Sequence, residues 1–182
     1  MIVVRDAEAA DLPPITALYG RDVMRSTASF ELEPPSLDEM TARIEAVRLL
    51  GLPWLVAEID GVFAGYAYAS TFRTRAAYRY SAEGSVYVEE SARQRGVGRR
   101  LLEATIARVR EAGLRHLMGV ISDSETSVAS IALHRALGFR ETGVLRQIGW
   151  KQDRWLDVTL MQLDLDPDMG PPAALEPGRV RA

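Results

Sequence analysis

Ser85-Val86-Tyr87-Val88-Glu89-Glu90-Ser91-Ala92-Arg93-Gln94-Arg95-Gly96-Val97-Gly98 is an apolar, strand-like run followed by a basic turn with two glycines. Downstream, Leu101, Leu102, Ile106 and Val109 recur at helical spacing as far as Ala112, and Gly113 is a stop signal. Gly96 and Gly98 carry no side chain to hold a ligand away from the main chain. The first turn of the helix leaves N–H groups without internal partners. Together with the positive end of the helix dipole, these groups make a seat for phosphate. Arg93, Arg95, Arg99 and Arg100 add positive charge. Strand, basic Gly-x-Gly turn and helix together predict a pyrophosphate site.

Working outward, Ile2–Arg5 reads as a short strand. Asp11 is placed to cap a helix whose first turn tolerates Pro13 and Pro14 and whose apolar face is Ile15, Leu18, Tyr19 and Val23. Ser29–Pro35 reads as a loop with Phe30 and Glu31 at its centre. Ser36 and Glu39 form a capping-box pattern before Met40, Ile44, Val47 and Leu50, and Gly51 and Pro53 end that helix. Trp54–Ile59 and Val62–Thr71 are strands joined by the hairpin signal Asp60-Gly61. Further strands are expected at Ser85–Val88, His116–Ile121, Phe139–Leu145 and Trp155–Leu165, with a helix over Ser127–Leu137. Residues 166–182, with Pro167, Pro171, Pro172 and Pro177, are expected to be a disordered tail after one domain over residues 1–165.

The 182 residues suffice for one domain of ordinary size. A 47% hydrophobic and 26% charged composition is that of a soluble globular protein, and a net charge of −3 argues against general nucleic-acid binding. With no cysteine and two histidines, His116 and His134, thiolate chemistry is excluded and a histidine metal site is not expected. No apolar run approaches the ~20 residues that span a bilayer. The first residues lack the layout of a secretory signal, so a cytoplasmic protein is expected, with no membrane partner. The element order β-α-α-β-β-β-α-β-α-β-β is mixed α/β without regular βαβ alternation. A doubly wound dinucleotide fold is therefore disfavoured, as is the nicotinamide-dependent oxidoreductase that would go with it.

The turn Arg-x-x-Gly-x-Gly resembles the acetyl-CoA motif of the GNAT (Gcn5-related) N-acetyltransferases. Ser130-Ile131-Ala132-Leu133-His134-Arg135-Ala136-Leu137-Gly138-Phe139 is similar to the family's second signature, a helix ending in Leu-Gly-Phe. This resemblance implies the GNAT fold: a central, mostly antiparallel sheet with flanking helices. A narrower resemblance rests on Phe72-Arg73-Thr74-Arg75, Ala77-Tyr78-Arg79, Ala82–Val88 and Gly149–Lys151 through Arg154–Val158. These segments look like the phosphinothricin and methionine-sulfoximine N-acetyltransferases, which act on the α-amine of small amino acids. The resemblance implies acetyl-CoA as co-substrate, direct transfer without a covalent enzyme intermediate, and a homodimer built with the hairpin that carries Lys151 and Trp155.

An amine attacking a thioester must lose a proton, and Glu83, expected just before the coenzyme-bearing strand, is the candidate base. A backbone N–H in the Val86-Tyr87-Val88 strand is the candidate oxyanion donor, and the same strand would pair with the pantetheine arm. His134 is the candidate donor to the leaving thiolate, or else a structural helix residue. The residues expected around the pyrophosphate are Arg93, Gln94, Arg95, Gly96, Val97 and Gly98. Ser127 stands near where the family carries an asparagine on the pantetheine arm, and it can cap the helix and donate one hydrogen bond. Arg73 and Arg75, two apart in an extended segment, share a face and suit a carboxylate or phosphinate; a solvated basic loop is the alternative. Phe30 and Tyr78 are pocket walls or core.

Three functions remain open on the residues alone. One is amino-acid α-amine acetylation. Another is acetylation of a protein N-terminus, polyamine or aminoglycoside, whose cationic forms would favour an acidic pocket instead of Arg73 and Arg75. The third is an acyl-CoA-binding sensor without catalysis, against which Glu83 and His134 speak.

Overall fold

The structure, a computed structural model, describes residues 1–166. The elements in chain order are β1 (Ile2–Asp6), α1 (Leu12–Arg25), α2 (Leu37–Leu49), β2 (Trp54–Ile59), β3 (Val62–Thr71), β4 (Ser81–Val88), α3 (Val97–Glu111), β5 (His116–Ser122), α4 (Val128–Ala136), β6 (Arg140–Lys151) and β7 (Arg154–Asp164). The strands make one sheet in the order β1-β2-β3-β4-β5-β7-β6. Every pairing is antiparallel except β4 with β5. This is the mixed α/β architecture expected from the element order. The tail expected from 166 onward lies outside the described residues from 167.

The apolar stripes behave as their spacing dictates. Ile15, Leu18, Tyr19 and Val23 of α1 are buried, as are Val97, Leu101, Leu102 and Val109 of α3. Each such side chain contributes about 1.5–3 kcal/mol by leaving water. Trp54 stacks on Tyr68 at 4.2 Å, Tyr66 stacks on Tyr87 at 5.0 Å, and Tyr19 meets the edge of Tyr87 at 5.2 Å, so an aromatic layer ties β2, β3 and β4 to α1. Ser36 Oγ caps α2 by accepting from Glu39 N at 3.1 Å.

Several local expectations are corrected. Asp11 does not cap α1 with its side chain. Its carboxylate accepts instead from Arg5, at 2.6 and 2.9 Å. β4 begins at Ser81, not Ser85, so Glu83 lies inside the strand. β6 runs on to Lys151 because the β6–β7 hairpin turns on Gln152 (φ 51°) and Asp153 (φ 56°), two left-handed residues without a glycine to advertise them. Arg73 and Arg75 lie beyond the end of β3 in an irregular, exposed bend, not in an extended segment.

The decisive feature is where β4 and β5 part. Their parallel pairing runs from Ser81 with His116 to Gly84 with Gly119. Beyond it β4 stays with β3 as far as Val88, while β5 stays with β7 as far as Ser122. The end of β5 is held by Asp123, which is 2% exposed. The Asp123 carboxylate accepts from Thr27 Oγ1 and Thr126 Oγ1, each at 2.6 Å, and from the Arg154 guanidinium. Ser122 Oγ donates to the Thr27 carbonyl at 2.6 Å. The hydrogen bond from Arg154 is the main reason the Asp123 carboxyl is held down to about 2, below the usual carboxylate range; burial opposes the shift, and Thr126 and Thr27 reinforce it.

A depressed carboxylate stabilises the fold above its unfolded pKa and loses that contribution as pH falls toward the folded value. Asp123 therefore contributes about 2 kcal/mol at neutral pH, of which about half is gone by pH 3. Asp123→Asn is expected to lower urea-unfolding stability by about 2–3 kcal/mol at pH 7 and by clearly less at pH 3. An equal loss at both pH values would contradict this assignment.

Candidate active site

Hydrogen-bond alternation fixes which main-chain groups face the gap. Phe72 N donates to the Ser81 carbonyl at 3.4 Å, and Glu89 N donates to the Ala64 carbonyl at 3.0 Å. With the β3–β4 register, Ser81, Glu83, Ser85 and Tyr87 thus direct their main-chain groups to β3. Ala82 and Gly84 direct theirs to β5. Val86 and Val88 direct theirs into the space that β5 has left. The Val88 carbonyl accepts there from Arg93 Nε at 3.4 Å.

Two compartments open along this gap. The outer one, about 490 Å³, is walled by Val86, Tyr87, Val88, Arg93, Gln94, Gly96, Val97, Gly98, Arg99, Leu133 and His134, with Asp22 on its α1 side. The inner one, about 160 Å³, is walled by Gly84, Ser85, Val86, Ser122, Ser127, Ser130 and His134. Ala28, Val86, Tyr87, Ser130 and His134 line both, so a single passage runs through the sheet between β4 and β5.

At the outer end the turn is built as the sequence suggests. Gly96 takes φ 87° and stands as N-cap of α3 without a side-chain cap, and Gln94 takes φ 59°. Arg100 N donates to the Gly96 carbonyl at 3.1 Å. The N–H groups of Val97, Gly98 and Arg99 precede that first intrahelical bond and remain available to an anion. A Cβ on Gly98 would touch Leu133 and Val88, both at 3.5 Å, so strand, turn and α4 are closely packed there. Arg95 is exposed and is not among the wall residues.

Glu83 shares a strand face with Ser85 and Tyr87, the face that α1 covers. Burial pushes the Glu83 carboxyl up, and Arg73 acts in the opposite sense. His134 stands on the other face, buried on Gly119 of β5. Its Nδ1 lies 2.8 Å from the Ser130 carbonyl. A carbonyl only accepts, so Nδ1 carries the proton and Nε2 keeps a lone pair. Burial pushes the imidazole down in pKa, while the Ser130 carbonyl works against that shift. Nε2 is thus the ring nitrogen left to serve as candidate donor to the leaving thiolate, once it carries a proton.

The remaining candidates are more dispersed. Ser127 lines the inner compartment, but its hydroxyl donates to the Ser122 carbonyl at 2.7 Å and does not cap α4. Arg73 lies 5.2 Å from the Phe72 ring centre, and Phe72 meets the edge of Tyr78 at 5.9 Å, so these three group together beyond β3, and the Arg73 charge acts on Glu83. Arg75 is exposed at the start of the same short turn. Phe30 is 40% exposed and rests on β6, outside both compartments. Sequence reasoning missed Ala28, Asp22 and Ser130 as wall residues and Asp123 as the anchor. Ala28 and Asp22 carry no motif, Ser130 opens the second signature without standing out from it, and Asp123 is one acid in a polar stretch. Among the described residues no cluster of three or more His, Cys, Asp or Glu could hold a metal ion. Nor is any described helix long and apolar enough to cross a membrane.

Residues 4–160 match the acetyltransferase (GNAT) domain family. A phosphinothricin N-acetyltransferase of Alcaligenes faecalis is 49% identical over 164 residues, covering 90% of this chain and 81% of that protein. An L-methionine sulfoximine/L-methionine sulfone acetyltransferase of Salmonella typhimurium is 40% identical, covering 94% of this chain and 99% of that one. The crystal structure of a GNAT-superfamily phosphinothricin acetyltransferase from Sinorhizobium meliloti, in complex with acetyl-CoA, superposes with a TM-score of 0.92 at 39% identity. That match covers 100% of this chain and 98% of the other.

A Cβ at Gly119 would lie 2.9 Å from His134 Cδ2 and 3.2 Å from Nε2. Gly119→Ala must therefore push the imidazole off β5. Turnover is expected to fall at least tenfold, since small misplacements at a reacting centre are costly. Steady-state kinetics beside a thermal melt checks this, and full turnover in a folded variant would show that the ring's position does not matter.

Proposed function

The chain belongs to the GNAT acetyltransferase family, and from that footing we propose that it acetylates the α-amine of a small amino acid or analogue of the phosphinothricin, methionine sulfoximine or methionine sulfone type. It is an acetyl-CoA-dependent N-acetyltransferase. The observation that carries the substrate class is the grouping of Arg73 with the partly buried Glu83, a cation for the acceptor's carboxylate beside a base for its ammonium.

The passage fits acetyl-CoA on its own chemistry. Free N–H groups at the start of α3, with Arg93 and Arg99 beside them, suit a pyrophosphate. The apolar walls at Val86, Val88 and Leu133 and the free main-chain groups of Val86 and Val88 suit an amide-bearing arm. The thioester supplies an electrophilic carbonyl with a thiolate leaving group. Glu83 takes the proton from the acceptor ammonium, its raised pKa bringing the base nearer the working pH. The N–H of Val86 or Val88 holds the carbonyl oxygen as it gathers charge. The acceptor nitrogen loses two protons in all: Glu83 takes the first before attack and passes it to solvent, and the second, lost as the C–N bond forms and the C–S bond breaks, matches the proton that the departing sulfur takes from a protonated His134 Nε2. No nucleophile on the chain is required, and transfer is direct.

Residues 1–165 form the catalytic unit in this reading. The enzyme is a cytoplasmic homodimer that pairs through the β6–β7 hairpin, where Ile148, Trp150 and Trp155 are all more than half exposed.

The test is thiol release from acetyl-CoA with phosphinothricin, methionine sulfoximine, methionine sulfone, glutamate, spermidine and an N-terminal peptide. Turnover confined to the first three supports the reading, and turnover confined to spermidine or peptide overturns it. Glu83→Gln is expected to lower kcat/KM for the acceptor by about 10²–10⁴-fold, with acetyl-CoA affinity unchanged by calorimetry. In the wild type, kcat/KM should rise with pH through a midpoint above the ordinary carboxylate range, because the base works ionised and burial raises its pKa. Arg73→Ala removes the opposing charge, so it should move that midpoint higher and raise the acceptor KM. A midpoint that moves down would contradict the pairing.

A further inference from the structure

The loop after α1 crosses from the passage to β6, and β6 is shaped to receive it. Ala28 lines both compartments. One residue on, the Ser29 carbonyl accepts from Lys151 Nζ at 2.6 Å, and Lys151 is only 7% exposed. Next, the Phe30 ring lies against Gly149: a Cβ there would fall 2.2, 2.6 and 2.8 Å from three of its atoms. Gly149 and Lys151 are two apart on one strand and so share a face. The far side of the loop is fastened to the helices. Glu31 accepts from Tyr19 Oη and Arg43 Nη1, both at 2.7 Å, and Tyr19 Oη also lies 3.1 Å from Ser29 Oγ.

This is more apparatus than a surface loop needs. A lysine gives up hydration to be buried, and its ammonium is directed at a main-chain carbonyl with Glu31 and Asp22 as the facing charges. The strand leaves out a side chain where the Phe30 ring lies. The two devices sit on either side of one turn of loop, and the residue they fix between them is Phe30.

We propose that Gly149 and Lys151 of β6 are positioning residues that hold Phe30 at one depth and so set which acceptor side chains the enzyme takes. The inference rests on the proposed acceptor activity and on Phe30, two residues from the passage wall Ala28, bordering the acceptor's side chain outside the two acetyl-CoA compartments. It concerns the acceptor alone, because neither Gly149 nor Lys151 belongs to the walls around the acetyl-CoA passage.

Lys151→Met keeps the apolar stem and removes the donor, Lys151→Arg restores a donor, and Gly149→Ala displaces the ring while leaving the lysine in place. For Lys151→Met, hydrogen exchange is expected to rise in a peptide spanning residues 26–32 and not in α3 or β4. The KM for methionine sulfone should rise at least fivefold, with kcat within twofold and acetyl-CoA Kd unchanged. Lys151→Arg should recover most of that KM. Gly149→Ala should change the ratio of kcat/KM for phosphinothricin to that for methionine sulfone at least threefold. Unchanged acceptor KM in Lys151→Met with an unchanged ratio in Gly149→Ala overturns the proposal. So does a parallel loss of acetyl-CoA affinity, which would mark a general structural role. A wild type that acetylates none of the amino acids removes the premise, and the inference falls with it; a wild type that acetylates them while the variants behave alike counts against the inference alone.

Discussion

The structure depends on the parting of β4 from β5 after Gly84 and Gly119. Each strand is committed elsewhere, β4 to β3 as far as Val88 and β5 to β7 as far as Ser122. The price is a set of main-chain groups at Val86 and Val88 left without strand partners inside a sheet, where such groups are ordinarily paired. A ligand with amides and carbonyls would repair that loss, and this is the ground for proposing the gap as the acetyl-CoA site. The other parts follow from it. The α3 turn aims its free N–H groups at the outer end. The imidazole of His134 fills the space above Gly119. Asp123, through Thr27, Thr126 and Arg154, holds the end of β5 away from β4.

Opening a sheet between two strands also joins its faces. Glu83 lies on the α1 face of β4, beside the passage walls Gly84 and Ser85 but not itself among them, and His134 lines the passage from the α4 face. Burial moves the carboxyl up and the imidazole down in pKa. Both shifts disfavour charge on the groups; the carboxyl's brings its proton affinity nearer to neutral pH, and the imidazole's takes it further below. The two groups differ in hardware. Glu83 has a cation acting on it from Arg73, whereas His134 is tethered through Nδ1 to the Ser130 carbonyl, which leaves Nε2 without that bond.

Legibility in the sequence followed how local the physics was. Arg93–Gly98 could be read because a left-handed N-cap and a phosphate seat both demand small residues at fixed positions, and Gly96 has that geometry. The faces of α1 and α3 were readable from periodicity. The true start of β4 was not, because Ser81 and Ala82 carry no strand signature; they are strand only because Thr71 and His116 lie beside them. The reach of β6 was hidden by a hairpin turn that takes left-handed angles without glycine. The Asp123 anchor joins residues as distant as Thr27 and Arg154, and no spacing rule links them. The fit of Phe30 to Gly149 is likewise a matter of tertiary space.

The central claim is that the main-chain N–H groups of Val86 and Val88 are the ones acetyl-CoA engages. Amide resonances of β4, followed by NMR during titration with acetyl-CoA, test it directly. Val86 and Val88 should shift strongly and become slow to exchange at saturation, while Ser85 and Tyr87, already bonded to β3, should change little. Saturation with Val86 and Val88 unmoved would contradict the account, because the coenzyme would then be held somewhere other than the gap between β4 and β5.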